Sequence, residues 1–408
     1  MPIVKPFKAT RATPDKAAHL ISRSYQDYSV EELEMQLKYN PFSFLQILNP
    51  GYKFSHEITG EERFNLVRNR FLEFKEEGYL MQEEQPAFYI YENTDPHHSY
   101  TGIIAGTSVV DYADNKIKKH EDTLSHREIL FKDYLKIVGF NAEPVLLTYK
   151  DDEEINDLIA QIKSTTPVYD FATTDSNRHR IWAVTDVEIC TTIEQGFAAK
   201  SELYIADGHH RSASSHLLSE EMGSQHESYN YFMSFLIAES QLNIYEFNRM
   251  VTDLNGLSKE TFLIQLDQHF RIKNHDLEIY KPSKKHHFCM YLDGEFYSLY
   301  LRKDIHKIET ALDDLDTQML YDLILKPILG IEDLRNDNRI EYSYGKSDLL
   351  VMKNKIDKGE FAVGFGLFPA TVDQMKSIAD AGLKMPPKST YIRPKLPSGF
   401  IIYEFDNE

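Results

Sequence analysis

The feature that most constrains this chain is a short apolar run from Leu203 to Ala206, followed by Asp207-Gly208 and by a run from Ser212 to Met222 that lacks proline. The apolar run predicts a buried β-strand, the Asp-Gly pair predicts a tight turn, and the last run predicts a helix. A strand that turns directly into a helix is typical of layered α/β structure. We therefore predict a mixed α/β (α+β) fold, with this turn as its most informative element.

The turn carries residue types that bind anions. Gly208 permits close approach of the backbone, and the following helix N-terminus offers amide donors and a positive dipole end. Arg211 can contact two phosphate oxygens at once, and His209 and His210 add donors or proton transfer near neutral pH. The alternative is a structural turn in which Asp207 caps the helix and the imidazoles are exposed. The residues alone leave both interpretations open.

A second candidate site is His120-Glu121-Asp122-Thr123, in a charged stretch that predicts a helix from near Asp114 toward Gly139. Zinc-protease chemistry is not indicated, because Leu124 stands where that motif needs its second histidine. Glu121, a carboxylate close to a hydroxyl, is a candidate general base or Mg²⁺ ligand. The alternative is a solvated helix face.

A third candidate is the segment from Lys384 to Lys395, which holds four cations and several hydroxyls in a chain of net charge −19. Its prolines favour a stiff loop suited to anions. Lys388, Ser389 and Lys395 are the residues that we expect to contact the anion. A surface loop that packs against acidic neighbours explains the pattern equally well.

Two weaker patterns predict no site. Gly345-Lys346-Ser347 resembles the end of a P-loop, but Ile340 stands where the earlier glycine is required, so we predict a turn. The pairs His97-His98 and His286-His287 lack a carboxylate or cysteine at metal-ligand spacing, so we predict no metal there.

Composition narrows the class of protein. An acidic chain is a poor general binder of nucleic acid or anionic membranes. Cys190 and Cys289 suggest neither a disulfide framework nor a cysteine metal site. The N-terminus lacks the apolar run of a signal peptide, and no stretch reaches the ~18 apolar residues of a membrane span. We expect a cytoplasmic protein in a reducing compartment, with neither nucleic acid nor membrane as a partner.

Beyond Gln241 the sequence changes to alternating charged and apolar segments. This change predicts a domain boundary near residue 245.

Six blocks, in this order, resemble the bacterial family catalogued as domain of unknown function 1015. They are Met1-Pro-Ile-Val-Lys-Pro-Phe-Lys8, Asn40-Pro-Phe-Ser-Phe-Leu45, His120-Glu-Asp-Thr123, Tyr204-Ile-Ala-Asp-Gly-His-His-Arg211, Leu315-Asp-Thr-Gln-Met319 and Met385-Pro-Pro-Lys-Ser-Thr390 with Pro394-Lys395. The resemblance covers essentially the whole chain, but the family itself implies little about function.

More distantly, Asp207 to Arg211 resembles the phosphate-binding motif of the ParB and sulfiredoxin-like superfamily. Sulfiredoxins carry a cysteine where this chain has His209, and the partition proteins carry a helix-turn-helix that this sequence lacks. The kinase branch, which includes free L-serine kinases, is closest in motif. The resemblance implies a ParB-like nucleotide or phosphate-binding region with an N-terminal elaboration over residues 1–245. Residues 246–408 are then an additional C-terminal α+β region that contributes the cationic loop.

The resemblance also implies an activity: phosphoryl transfer from ATP or ADP, with Mg²⁺, to a small hydroxyl compound such as free L-serine. The cofactor-binding residues would be Gly208, His209, Arg211, Lys388, Ser389 and Lys395. The catalytic residues would be Glu121, His210 and Asp207, and the metal ligands Asp207 and Glu121. A nucleotide-responsive binding or regulatory protein and a phosphate-releasing nucleotide hydrolase are the alternatives, and a homodimer is compatible with each.

Overall fold

The computed structural model describes residues 1–54, 56–223, 226–344 and 348–405, which form two compact units. Unit 1 comprises Met1–Lys119, Thr123–Leu242 and the C-terminal stretch from Pro394. Unit 2 comprises His120–Asp122 and Asn243–Arg393. The boundary was predicted near residue 245; the chain passes from unit 1 to unit 2 after Leu242 and returns after Arg393. The turn predicted at 345–347 lies outside the described residues.

Strands and helices alternate along much of the chain. The strands are β1 (Val4–Lys5), β2 (Ala9–Ala12), β3 (Leu80–Gln82), β4 (Phe88–Thr94), β5 (Ser99–Ser108), β6 (Ile117–Lys118), β7 (Phe140–Asn141), β8 (Val145–Tyr149), β9 (Tyr169–Ala172), β10 (Arg178–Val184), β11 (Leu203–Asp207), β12 (Tyr231–Ala238), β13 (Asn243–Tyr245), β14 (Phe247–Val251), β15 (Phe270–Asn274), β16 (His287–Leu292), β17 (Glu295–Leu301), β18 (Ile340–Tyr344), β19 (Val363–Gly366), β20 (Tyr391–Arg393) and β21 (Ile402–Glu404).

The α-helices are α1 (Ala17–Leu20), α2 (Val30–Tyr39), α3 (Leu45–Leu48), α4 (Gly60–Glu76), α5 (Val109–Ala113), α6 (Ser125–Val138), α7 (Glu153–Lys163), α8 (Val187–Ala198), α9 (His209–Met222), α10 (Lys259–Asp267), α11 (Asp316–Leu320), α12 (Asp348–Asp357) and α13 (Val372–Asp380). Short 3₁₀ turns cover Tyr25–Asp27, Pro50–Lys53, Glu227–Asn230 and Glu239–Gln241, and a π-helical turn covers Tyr321–Leu325.

A nine-stranded sheet forms the centre of unit 1. Its order is β6-β11-β8-β12-β5-β4-β10-β9, with β1 paired to β5. The pairs β6–β11 and β8–β12 are parallel, and the other pairs are antiparallel. Every residue of β8 and almost every residue of β12 is buried, which explains why both are continuous apolar runs. The core beside this sheet includes Phe197, Ile193 and Trp182.

A second sheet in unit 1 joins distant parts of the sequence. Its order is β3-β2-β21-β7, so the C-terminal strand β21 pairs on one side with β2 and on the other with β7. This pairing holds the stretch after Pro394 against the N-terminal part of the chain. The C-terminal cation Lys395 therefore belongs to unit 1.

Unit 2 is built on a six-stranded sheet of order β15-β17-β16-β19-β14-β18, together with the pair β13–β20. Strands β16 and β17 form an antiparallel hairpin around Asp293-Gly294. Apolar side chains from the π-helical turn, including Ile324 and Leu325, pack with Phe262 and Phe288 in its core.

The sequence prediction was wrong for the stretch between Asp114 and Gly139. One long helix was predicted there, but β6 forms at Ile117–Lys118 and α6 begins only at Ser125, so His120 to Thr123 is irregular backbone. The cause is tertiary: β6 pairs in parallel with β11, which takes these residues out of any helix.

The mixed α/β class is confirmed. The predicted strand–turn–helix is also confirmed, as β11 followed by α9. Within the described parts of the chain, no helix combines the length and the apolar character needed to cross a bilayer.

Candidate anion-binding site

The predicted turn lies at the end of β11, where the strand register is irregular. Ile205 pairs with Leu147 and Asp207 pairs with Leu146, so one residue of β11 is left over between them. Such a bulge bends the strand and changes the direction of the next side chain. Asp207 is the last residue of β11, and helix α9 begins two residues later.

Gly208 connects the strand to the helix in a conformation that disfavours other residues. Its φ is 104°, and a Cβ built there would lie 3.0 Å from Nε and 3.1 Å from a terminal nitrogen of Arg211. Gly208 is also the N-cap of α9, and no side chain caps this helix end. The turn therefore needs glycine both for its backbone and to make room for the guanidinium.

Two cations converge on the carboxylate of Asp207. Arg211 donates to Oδ2 at 2.9 Å from the next turn of α9. Lys395 donates to Oδ1 at 3.2 Å, although it lies 188 residues further along the sequence. The Asp207 side chain is 39% exposed, and that of Lys395 is 33% exposed. The strand end thus carries two positive groups, each held by a different oxygen of one carboxylate.

The electrostatics agree with this geometry. Loss of surrounding water would raise the pKa of Asp207, but the positive charges of Lys395 and Arg211 outweigh it and hold this pKa below its usual value. Asp207 is therefore ionised at neutral pH, and each of its oxygens accepts from a cation.

Glu143 extends the site, and the sequence analysis did not identify it. It precedes β8, the antiparallel neighbour of β11, so it lies beside the end of β11. Its Oε2 is 3.5 Å from Arg211, and its Oε1 accepts from the Ser398 hydroxyl at 2.6 Å. Arg211 thus contacts two carboxylates, one at the end of β11 and one in the segment that precedes β8.

The chain segment around Lys395 is fixed by backbone hydrogen bonds. The amide of Gly399 donates to the carbonyl of Ala142 at 3.1 Å, and the amide of Ser398 donates to the carbonyl of Ser22 at 2.8 Å. These bonds hold the C-terminal stretch next to the Glu143 segment. The position of Lys395 therefore depends on pairing between residues that are remote in sequence.

Asp27 is a second carboxylate that the sequence analysis missed. It lies in the 3₁₀ turn Tyr25–Asp27, a few residues after Ser22. Burial raises its pKa; Lys395 and Arg23 oppose this rise, while the negative charges of Glu143 and Asp207 add to it. Asp27 therefore shares the electrostatic environment of the site. No local pattern marks it, because its neighbours in space come from the middle and the end of the chain.

The two histidines of the motif differ in position. His209 is buried as the first residue of α9, and its positive form would stabilise the Asp207 carboxylate. His210 is half-buried, with its ring centroid 6.4 Å from that of Phe131. Their predicted roles in cofactor binding and catalysis stay predictions.

Glu121 belongs to the short irregular segment of unit 2. It is half-buried, and the carbonyl of the preceding His120 accepts from the amide of Met385 at 2.8 Å. Two of the predicted motifs, 120–123 and 385–390, are thus joined by a backbone hydrogen bond. The proposed role of Glu121 as base or Mg²⁺ ligand stays a prediction.

Lys388 and Ser389 make contacts within unit 2. The Lys388 ammonium lies 5.4 Å from the centroid of the Phe247 ring, and its carbonyl accepts from Arg249 at 2.9 Å. The Ser389 hydroxyl is buried and donates to the carbonyl of Pro386 at 2.7 Å. Cofactor binding by Lys388 and Ser389 stays a prediction.

The fold and this charged turn define a mixed α/β protein whose central sheet places two cations at a strand-to-helix junction. The chain matches the family model described as "Protein of unknown function (DUF1015)" over residues 4–318, and it belongs to that family. The comparison with curated proteins found no match.

Several solved structures are similar to the chain at low identity. A free serine kinase in complex with AMP is 13% identical, covers 75% of this chain and 91% of its own, and has a TM-score of 0.37. A conserved hypothetical protein from Pyrococcus furiosus is 13% identical, covers 73% of this chain and 93% of its own, and has a TM-score of 0.36. SbnI with a C-terminal truncation, from Staphylococcus aureus, is 11% identical, covers 71% and 82%, and has a TM-score of 0.38. The ParB-like core stays a prediction.

Proposed function

We propose that this protein is a phosphotransferase that uses ATP or ADP and acts on a small hydroxyl compound, with free L-serine as the first acceptor to test. The observation that carries the proposal is the pair Arg211 and Lys395, which contact opposite oxygens of Asp207 at a strand-to-helix turn. Phosphoryl transfer depends mainly on positioning and on neutralising charge, and this pair is suited to both.

The Asp207 carboxylate keeps both cations in place before a ligand arrives. A guanidinium has five N–H donors, so Arg211 can contact Asp207 and still donate to phosphate oxygens. The backbone amides at the start of α9 add further donors, since no side chain caps this helix end. Gly208 fits the same role, because a Cβ there would fill the space beside the guanidinium.

The side chains around the turn also suit Mg²⁺, which prefers oxygen ligands. Asp207 and Glu143 supply carboxylate oxygens within contact distance of Arg211. We assign Asp207 as the metal ligand in this unit, and Glu121 keeps its predicted role as a ligand or base. When bound, Mg²⁺ would neutralise phosphate charge.

Three residues are candidates to orient the acceptor hydroxyl. The sequence motifs favour Glu121 or His210. Asp27 joins them as a candidate, because a carboxyl whose pKa is raised by burial is a better base near neutral pH than an ordinary one. Single variants of the three residues separate these assignments.

The first experiment measures thermal unfolding with ATP, ADP or CTP, each with and without Mg²⁺. We expect a nucleotide to raise the melting temperature of the wild type, and Arg211→Ala to abolish this shift. The matched control is Arg178→Ala, because Arg178 on β10 forms a bidentate pair with Asp170 on β9, at the opposite edge of the same sheet. Equal shifts in both variants would refute the phosphate-binding role of Arg211.

The second experiment measures phosphoserine formation with the nucleotide that stabilises the protein. Glu121→Gln, His210→Asn and Asp27→Asn are compared at saturating nucleotide, and loss of kcat with unchanged nucleotide affinity identifies the residue that acts on the acceptor. A nucleotide shift without product would point to a binding protein. Phosphate release without an acceptor would point to a hydrolase. Either outcome rejects the phosphotransferase assignment.

A further inference from the structure

A second polar cluster lies entirely in unit 2, and the residues that line it are not among those that the sequence analysis assigned to a site. It surrounds a pocket of about 210 Å³, part of which is open to solvent. Lys285, Asp316, Thr317 and Gln374 provide its polar walls, and Phe368 and Pro369 provide much of its apolar wall. Because part of this volume is open solvent, the enclosed space is far below the roughly 300–1,000 Å³ of pockets for drug-sized ligands, and the pocket suits only a compact group.

Asp316 is the unusual member of this cluster. The residue is only 5% exposed, and its Oδ1 accepts from the backbone amide of His286 at 2.8 Å. Its Oδ2 is buried and has no hydrogen-bond partner among the described residues. Because a buried carboxylate oxygen without a donor is costly, this atom indicates where a donor from a ligand would bind.

Thr317 presents an acceptor to the same pocket. The Ser389 hydroxyl has one proton and donates it to the carbonyl of Pro386 at 2.7 Å. In the 2.9 Å contact between Thr317 and Ser389, the Thr317 hydroxyl must therefore be the donor. The remaining lone pairs of the Thr317 oxygen can accept, so Asp316 Oδ2 and Thr317 Oγ1 can both accept a hydrogen bond from a ligand.

The charges of the cluster favour a single positive charge. Lys285 lies 2.6 Å from Asp314 and is thus paired already. His286 also contacts Asp314, and burial lowers its pKa, so its imidazole is neutral above pH 7. The cluster thus holds one lysine and the two carboxyl groups of Asp314 and Asp316, so the negative charge of Asp316 has no cation of its own.

We propose that this pocket of unit 2 binds the primary ammonium group of a small amine, whose N–H groups donate to Asp316 Oδ2 and Thr317 Oγ1. A primary ammonium supplies three donors and one positive charge on a compact group, which matches the acceptors, the charge and the size of the pocket. This site is independent of the turn at Arg211 and does not rest on the phosphotransferase assignment.

The experiment measures the melting temperature of the full chain at pH 8 with 50 mM methylammonium chloride, against potassium chloride and tetramethylammonium chloride at equal ionic strength. We expect methylammonium alone to raise it, by roughly 3 °C. Tetramethylammonium and potassium both carry a single positive charge but have no N–H donor, so they separate the effect of charge from that of hydrogen bonding. An equal effect of either salt, or no effect of methylammonium, would overturn the proposal.

Two variants test the assigned residue. Asp316→Asn should abolish the methylammonium shift, while Asp322→Asn, which changes an exposed aspartate on the next turn, should keep it. Lys285→Met removes the resident cation and should lower the methylammonium concentration needed for half of the shift, which provides a test if Asp316→Asn does not fold. A shift that survives in Asp316→Asn, or an unchanged half-point in Lys285→Met, would refute the site.

The shift should also depend on pH. Asp314, Lys285 and His286 are the ionisable groups that face Asp316, and its own pKa is raised by burial. At pH 5 the Asp316 carboxyl is protonated, so the methylammonium effect should disappear. Persistence of the full shift at pH 5 would contradict binding at this carboxylate.

Discussion

Asp207 in unit 1 and Asp316 in unit 2 differ in the partners of their carboxylates and in their pKa values. Asp207 in unit 1 ends a strand and contacts Arg211 and Lys395, one through each oxygen. Asp316 in unit 2 begins a short helix, and within the described part of the chain its carboxylate accepts one hydrogen bond, from a backbone amide. The pKa of Asp207 is lowered, whereas that of Asp316 is raised to about 7, chiefly by burial.

Loss of water raises the pKa of both carboxyls, and the charged partners of each one decide whether its pKa ends above or below the usual value. Positive charge on both sides of Asp207 more than compensates for the lost hydration. At Asp316 the cation Lys285 is paired with Asp314 instead, so burial dominates. Asp207 thus holds two cations in place, whereas Asp316 has a carboxylate oxygen that can still accept a hydrogen bond from a ligand.

The largest expected effect is on the pH dependence of unfolding through Asp316. Its pKa is about 7 in the folded chain and near 3.8 when unfolded. Between about pH 4 and 7 the folded protein therefore keeps a proton that the unfolded chain releases, and stability falls as pH rises, by up to about 4 kcal/mol. Urea unfolding of Asp316→Asn should lack this fall.

The control for this prediction is Asp322→Asn, which should keep the wild-type pH profile because Asp322 is exposed. If Asp316→Asn retains the fall between pH 4 and 7, another group is responsible.

A smaller effect is expected at the cation pair of unit 1. Lys395→Met should weaken binding of Mg²⁺-ATP about 10- to 100-fold, or about 2 kcal/mol, because one charge-assisted contact to phosphate is lost. Isothermal titration calorimetry measures this. Lys200→Met is the matched control, since Lys200 pairs with Asp152 at 2.7 Å beyond the other end of β8. Equal losses in both variants would show that the effect is not local to the turn.

Gly208→Ala should cost about 1.5 kcal/mol of stability, because a φ of 104° disfavours a residue with a Cβ. It should also weaken nucleotide binding, since the new Cβ would lie 3.0 Å from Nε of Arg211. Gly382→Ala serves as control: Gly382 has a φ of 68°, but a Cβ there meets no atom within 4 Å. Both variants should lose stability in thermal unfolding, and only Gly208→Ala should lose affinity.

The smallest effect is expected from Asp207→Asn. The lowered pKa of Asp207 adds stability that is present above about pH 4 and is lost as pH falls through the folded-state pKa. The side chain is 39% exposed, so screening by solvent limits this contribution to about 1 kcal/mol. Chemical denaturation at pH 7 and pH 2.5 should show a larger difference from wild type at pH 7 than at pH 2.5. If Asp207→Asn were instead more stable than the wild type at pH 7, the pKa of Asp207 would be raised, as that of Asp316 is.

Local signals accounted for much of the fold. The strands at Val145–Tyr149 and Tyr231–Ala238 coincide with short, mainly apolar runs of the sequence, and the helix at Val30–Tyr39 ends just before Pro41. Each element is specified by residues that are close in sequence, such as the capping box that begins the helix at Ser29. The one long helix predicted after Asp114 was wrong because pairing with β11 overrode local propensity.

By itself, the sequence determined that a strand turns into a helix at Asp207-Gly208 and that Arg211 follows one turn later, because four or five neighbouring residues suffice for that geometry. Only the tertiary structure decided that Lys395 contacts Asp207 and that Oδ2 of Asp316 has no donor among the described residues. Both depend on side chains brought together across long stretches of chain, and burial and partners of that kind are properties of packing that local pattern does not encode.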